Sequence, residues 1–105
     1  MARWSSSPAE ARHIEEMNSR MMTRSGGAIR VVLKDGTEHF GVPSNYHCEK
    51  RGPVDARVYS ASLPLITEKD MEIDLDLLDV TSIDEWPEKD AAMATILRSR
   101  GAVRR

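Results

Sequence analysis

The dipeptide Asp35-Gly36 joins two runs of alternating apolar residues, at 28–34 and at 37–42, and this pattern constrains the fold most strongly. Asp-Gly tolerates a positive φ angle and closes tight turns between antiparallel strands. Alternation with a period of two places the apolar side chains of each run on one face. The segment therefore predicts a β-hairpin, and with it a mainly β fold.

Size and composition limit the classes of protein to which the chain can belong. A chain of 105 residues fits one domain with a modest core. Its formal net charge of -2 argues against a dedicated binder of duplex nucleic acid, because such proteins carry a basic excess. Cys48 is the single cysteine, and no apolar run reaches the length of about 20 residues that a membrane span needs. We therefore expect a cytoplasmic protein that does not enter a membrane.

Helices are predicted on both sides of the strands. Ser7, Pro8 and Glu10 form a capping box with proline at the first helical position, so a helix should run from about 8 to 24 and cover one side of the barrel. Pro87 opens a second helix that ends near Gly101.

The flanks of the chain set the predicted domain limits. We expect a flexible N-terminus at 1–7, one small domain at 8–98 and a basic tail at 99–105.

Three further strands complete the prediction, at 54–63, 71–76 and 80–86, and the segment 43–53 between them is predicted as a long irregular loop. The expected fold is a five-stranded, strongly bent antiparallel barrel with a helix at each end. Its predicted core consists of Ile29, Val31, Leu33, Phe40, Val42, Val58, Ile73, Leu75, Val80 and Ile83.

Four carboxylates, here called the acidic row, lie at Glu72, Asp74, Asp76 and Asp79. The first three alternate with apolar residues, so they should project from one face of a strand. A solvated strand face explains such a pattern without any ligand. A Mg²⁺ or Ca²⁺ site would need about six converging oxygens, which a flat row does not supply. An acidic surface that binds a basic protein partner remains as the functional interpretation.

Two histidines and the cysteine suggest metal or nucleophile chemistry, which their spacing does not support. His47 and Cys48 are adjacent, so both cannot easily turn to one zinc ion, and His13 lies on a different element from His39. No third group or oxyanion donor accompanies the Cys-His pair. We therefore predict no metal site, no cofactor and no enzymatic activity.

A cationic set is the second functional candidate. Its members are Arg30, Lys34, Lys50 and Arg51, with Tyr46 among them as an aromatic on which a base could stack. Acidic residues are interspersed with these cations, so an ordinary mixed-charge surface also explains them. The loop 43–53 is expected to contribute to the contact surface whichever partner is bound, and the alternative is a tolerated insertion that contacts no partner.

Two motifs together resemble the Sm-like small β-barrel family. They are the apolar-x-Asp-Gly-x-x-x-x-Gly pattern from Leu33 to Gly41, and Val80-Thr81-Ser82-Ile83 in the last strand. The resemblance extends over residues 8–86 and implies an Sm-like barrel.

Within that class the chain is similar to the small antiterminator proteins (Rof-type) that bind transcription termination factor Rho, through residues 71–75 and 81–83. This similarity implies inhibition by occupying an RNA site on a protein. The RNA pocket of Sm proteins is not recognisable in residues 42–45, and the segment 76–79, with an aspartate at each end, replaces the Arg-Gly pair expected before the last strand. Both departures favour a protein-binding barrel.

The sequence therefore predicts a regulatory module that binds a protein partner, such as a transcription or RNA-processing factor. The predicted contact residues are Glu72, Asp74, Asp76, Asp79, Tyr46, Lys50 and Arg51. The alternative is an Sm-like protein that binds single-stranded RNA through Arg30, Lys34, Lys50, Arg51 and Tyr46. Self-association is a further expectation, because open strand edges of such barrels can pair between copies.

Overall fold

The computed structural model describes residues 2–24 and 26–103, with side chains up to Arg100. The helices are α1 (Pro8–Thr23) and α2 (Asp90–Val103). The strands are β1 (Ile29–Leu33), β2 (Glu38–Pro43), β3 (His47–Arg51), β4 (Val58–Thr67), β5 (Glu72–Asp76) and β6 (Val80–Glu85). Short 3₁₀ turns lie at Val54–Ala56, Leu77–Asp79 and Pro87–Lys89.

The described strands form one antiparallel sheet, and the predicted hairpin is its first element. β1 pairs with β2 across Asp35-Gly36, where the backbone N–H of Thr37 donates to Oδ1 of Asp35 at 2.9 Å. β6 pairs with the other edge of β1, and β2 pairs with β4. The long β4 also pairs with β3 near its start and with β5 near its end. The predicted antiparallel barrel with flanking helices is confirmed, with six strands instead of five.

The additional strand is β3, and it corrects the prediction that 43–53 is an irregular loop. His47–Arg51 pairs in register with residues 58–62 of β4. Pro43 ends β2, and Gly52 and Pro53 follow β3, so these residues flank β3 and do not interrupt its pairing with β4. β3 is polar because it is largely exposed, so it lacks the alternating apolar signal of a half-buried strand. The strand predicted at 54–63 accordingly begins later, at Val58.

The inner face of the sheet and α1 enclose the main core. Ile29, Val31, Val80 and Ile83 are buried there as predicted, and Leu33, Ile73 and Leu75 pack against them partly buried. α1 covers the core with Ile14, Met17 and Met21, which share one helical face. Oγ of Ser7 accepts from the N–H of Glu10 at 3.1 Å, as the predicted capping box requires, but Oε1 of Glu10 accepts from the backbone N–H of Ser6 at 2.7 Å and not from that of Ser7.

Phe40, Val42 and Val58 are exceptions to the predicted core. Val58 is half-buried and belongs to neither core cluster. Phe40 and Val42 lie on the outer face of β2. Gly41 occupies the inward position between them and pairs with Ile29. Val42 joins a second cluster that contains Met93 of α2, and Phe40 packs 5.6 Å from the ring centroid of Trp86. Alternation identified the strand correctly, but it could not tell which of its two faces meets the main core.

The two ends of the chain are described in part. Residues predicted as a flexible N-terminus lie against β4, where the N–H of Ser5 donates to the carbonyl of Tyr59 at 2.8 Å. The predicted basic tail begins inside α2, in which Arg100 lies 2.6 Å from Asp70. Arg104 and Arg105 lie outside the described residues. None of the described helices has both the length and the apolar character to cross a membrane.

Replacing Gly41 by alanine tests the close approach of β2 and β4. A Cβ atom there would lie 2.9 Å from the carbonyl carbon of Ile66, a contact that requires backbone movement. We expect Gly41→Ala to lower the free energy of unfolding by about 3 kcal/mol, measured by urea denaturation. Gly36→Ala is the control, since its Cβ meets open space and its positive φ alone should cost about 1–2 kcal/mol. Equal losses in the two variants would contradict the packing argument.

Candidate protein-binding surface

β5 presents the first half of the acidic row to solvent. Ile73 and Leu75 pack toward the main core, so the side chains of Glu72 and Asp74 project from the outer face, where both are exposed. Oδ1 of Asp74 accepts a hydrogen bond from Oγ of Ser62 on the neighbouring β4 at 2.7 Å. The predicted alternation therefore holds, and two carboxylates stand on an accessible sheet face.

The second half of the acidic row is bound by Arg3. Nε of Arg3 lies 3.0 Å from Oδ2 of Asp76, and Nη2 of Arg3 lies 2.6 Å from Oδ1 of Asp79. The side chain of Asp76 is only 13% exposed, and its Oδ1 accepts from the backbone N–H of Leu78 at 3.0 Å. Asp76 thus caps the 3₁₀ turn that follows β5.

The environment of Asp76 favours its charged form. Burial acts to raise the pKa of this carboxyl, but hydrogen bonds from the backbone N–H groups of Arg3 and Leu78 and from the Arg3 guanidinium outweigh burial. The pKa of Asp76 is therefore held below its usual range. The carboxylate is ionised at neutral pH and remains attractive to cations.

Arginine also approaches the other end of the acidic row. Nη1 of Arg100 lies 3.9 Å from Oε2 of Glu72, while Nε of Arg100 lies 2.6 Å from Asp70. Arg3, which precedes α1, and Arg100 of α2 thus contact opposite ends of the acidic row. Within the row, Glu72, Asp74 and Asp79 are exposed, and Asp76 is half-buried.

The structure divides the predicted contacts of 43–53 between two surfaces. Arg51 projects from the outer face of β3, with its guanidinium carbon 4.1 Å from the ring centroid of Trp4. Tyr46 and Lys50 line a groove of about 750 Å³ between α1 and β3, where the hydroxyl of Tyr46 donates to Oδ1 of Asn18 at 2.6 Å. Arg51 and the acidic row therefore share the outer face, and Tyr46 and Lys50 do not.

The cationic set of the RNA alternative is also dispersed. Nε of Arg30 donates to Oε1 of Glu38 at 3.0 Å, and the guanidinium lies 5.3 Å from the ring centroid of Trp86. Lys34 stands at the turn of the first hairpin, and Lys50 lies in the groove beside α1. The fold thus brings these three cations to three separate places, and Arg51 lies apart from them on the outer face of β3.

His47 and Cys48 point to opposite faces of β3, as neighbours in a strand must. Nε2 of His47 lies 2.8 Å from Oε1 of Glu49 on the outer face, and Cys48 packs against the core on the other. Burial raises the pKa of the Cys48 thiol, which disfavours the nucleophilic thiolate. Among the described side chains, no three His, Cys, Asp or Glu residues are grouped to hold a metal ion.

Sequence reasoning missed Arg3 and Trp4 as parts of this surface. Both were assigned to a flexible terminus, because nothing in the local pattern of residues 1–7 specifies a strand or a helix. The available signal was an arginine beside a tryptophan in a segment of otherwise small residues. Such side chains are common anchors at interfaces.

No protein-family model and no curated protein matches this chain. Among solved structures it is similar to XC5848 from Xanthomonas campestris, described as adopting a novel variant of the Sm-like motif. The two are 10% identical, with a TM-score of 0.61, over 83% of this chain and 96% of the other. This likeness establishes an Sm-like fold, as the sequence resemblance predicted. The finer similarity to Rho-binding antiterminators stays a prediction.

Asp76→Asn tests the electrostatic role of Asp76. We expect the free energy of unfolding to fall by about 1–2 kcal/mol at pH 7, because charge-assisted hydrogen bonds are lost. The difference from wild type should shrink as the pH falls through the lowered pKa, since the wild-type carboxyl then also becomes neutral. Urea denaturation at several pH values measures this difference. Asp55→Asn, at an exposed position, should stay within about 0.5 kcal/mol throughout; a pH-independent loss in Asp76→Asn would contradict the assignment.

Proposed function

We propose that this protein is a non-enzymatic regulatory module that binds a basic segment of a protein partner through the acidic row. The observation that carries the proposal is the exposure of Glu72 and Asp74 side by side on the outer face of β5. A surface of one charge sign raises the rate of encounter with a partner of opposite charge and restricts its orientation. The arginines that flank the row indicate that guanidinium groups fit against it.

The strand that carries the acidic row can also supply backbone hydrogen bonds. β5 pairs with β4 along one edge, and its other edge meets no strand within the described residues. An extended partner segment can add to such an edge, with specificity set by the adjacent side chains. The same edge suits a second copy of the chain, so self-association stays a prediction that light scattering tests.

Charge favours a protein partner over RNA at this surface. Carboxylates repel phosphates, and the cations that an RNA site would need are dispersed, with Arg30 already engaged by Glu38. RNA binding through the cationic set is therefore the less well supported function. The resemblance to Rho-binding antiterminators would make the partner a transcription or RNA-processing factor, whose RNA site an acidic surface could occupy.

Charge reversal tests the proposal directly. Glu72→Lys combined with Asp74→Lys should weaken binding to a partner captured from lysate at least tenfold, because two attractive interactions become repulsive. The control combines Asp55→Lys with Glu88→Lys, which makes the same change in net charge at exposed positions off β5. Affinities are measured by calorimetry with the purified partner, and circular dichroism checks the fold.

Two outcomes would contradict this function. Equal partner affinity in the two double variants would exclude the acidic row as the contact surface. Capture that disappears after nuclease treatment, together with an affinity that falls steeply with salt, would favour the RNA alternative, because phosphate contacts release counterions.

A further inference from the structure

Residues 2–5, here called the strap, lie beside the first part of β4. The N–H of Ser5 donates to the carbonyl of Tyr59 at 2.8 Å, and the N–H of Tyr59 donates back to Oγ of Ser5 at 3.0 Å. Oγ of Ser60 donates to the carbonyl of Ala2 at 3.2 Å. β5 pairs with the later part of the same strand, from Ser62 to Ile66. The strap is thus seated on the edge of the sheet like a short peptide ligand.

The side chains of the strap match the partner that the proposed function calls for. Arg3 places its guanidinium between Asp76 and Asp79, and its backbone N–H also donates to Oδ2 of Asp76 at 3.0 Å. Trp4 is held by the guanidinium of Arg51. The strap therefore carries a positive charge onto the acidic row and an aromatic ring onto the outer face of β3.

We propose that the strap is a displaceable intramolecular competitor, and that an arginine-bearing segment of the partner takes its place at Asp76, Asp79 and the edge of β4. This inference rests on the proposed function, because it assigns Glu72 and Asp74, and the two carboxylates that Arg3 binds, to one partner. The partner first meets Glu72 and Asp74. Displacement of Arg3 then makes the whole row available.

The contacts of the strap are suited to exchange. The Arg3 side chain is 60% exposed and that of Asp79 is 53% exposed, so this ion pair is open to water and contributes little to stability. The contact of Arg3 with the less exposed Asp76 is the stronger one that a partner must replace. An arginine from a partner can form the same contacts with Asp76 and Asp79. The strap has the advantage of a high effective concentration, because it is covalently attached. A partner must therefore gain additional contacts to displace it, and Glu72 and Asp74 provide them.

The test uses a fluorescent peptide with the sequence of residues 2–7, and a matched peptide with glutamine in place of the arginine. Both are titrated into the full chain and into its Arg3→Gln variant, with fluorescence anisotropy as the readout. We expect Arg3→Gln to bind the arginine peptide about tenfold more tightly than wild type does, because the competing guanidinium is gone. The glutamine peptide should show no such gain. Adding Asp76→Asn and Asp79→Asn to Arg3→Gln should abolish it.

A second variant keeps the test decisive if Arg3→Gln does not fold. Trp4→Ala removes the ring that Arg51 contacts and leaves Arg3 in place. It should raise affinity for the arginine peptide in the same direction, by a smaller factor. If thermal denaturation shows that Arg3→Gln does not fold, Trp4→Ala decides by the same criterion. Unchanged or weaker peptide binding in the folded variant overturns the strap as a competitor, as does equal binding of the two peptides.

The peptide experiment tests the strap proposal, and the charge-reversal experiment tests the proposed function, so either one can be overturned separately. If charge reversal at Glu72 and Asp74 abolishes partner binding and loosening the strap leaves peptide affinity unchanged, the strap proposal alone is overturned. If charge reversal leaves partner binding intact, the proposed function is overturned whatever the peptide does.

Discussion

The close approach of β2 to β4 at Gly41 is the contact on which the architecture depends. β4 is ten residues long and pairs with three strands, with β3 near its start and with β2 and β5 near its end. Gly41 allows β2 to approach the end of β4, because a side chain there would strike the backbone of Ile66. β3 and β5 both pair with β4, so Arg51 and the acidic row lie on the same outer face of the sheet.

The sequence predicted correctly the elements that are specified by residues close to one another along the chain. Asp35-Gly36 specifies its own hairpin, and Ser7 with Glu10 specifies the start of α1. β3 was not predicted, because a polar and exposed strand lacks the alternation of apolar and polar residues by which a strand is recognised. Leu77 and Leu78 are buried in a 3₁₀ turn, where neither the helical nor the strand period applies.

The electrostatics of the candidate site were predictable only in part, for a related reason. Alternation along β5 was sufficient to place Glu72 and Asp74 on one face. The partner of Asp76, however, is separated from it by 73 residues in sequence, and no short-range rule connects them. Charge counted along the chain therefore overestimated the acidity of this face, because the fold returns Arg3 and Arg100 to it.

α2 is attached to the sheet through few buried side chains, and this affects the charge near the acidic row. Met93 is the one α2 side chain among those described that is fully buried, and its cluster is small. Few buried contacts make a segment prone to open locally while the rest of the protein stays folded. Opening of α2 would withdraw Arg100 from Asp70 and Glu72 and make that end of the sheet more negative. An opened α2 would therefore change the charge that this end of the outer face presents to a partner.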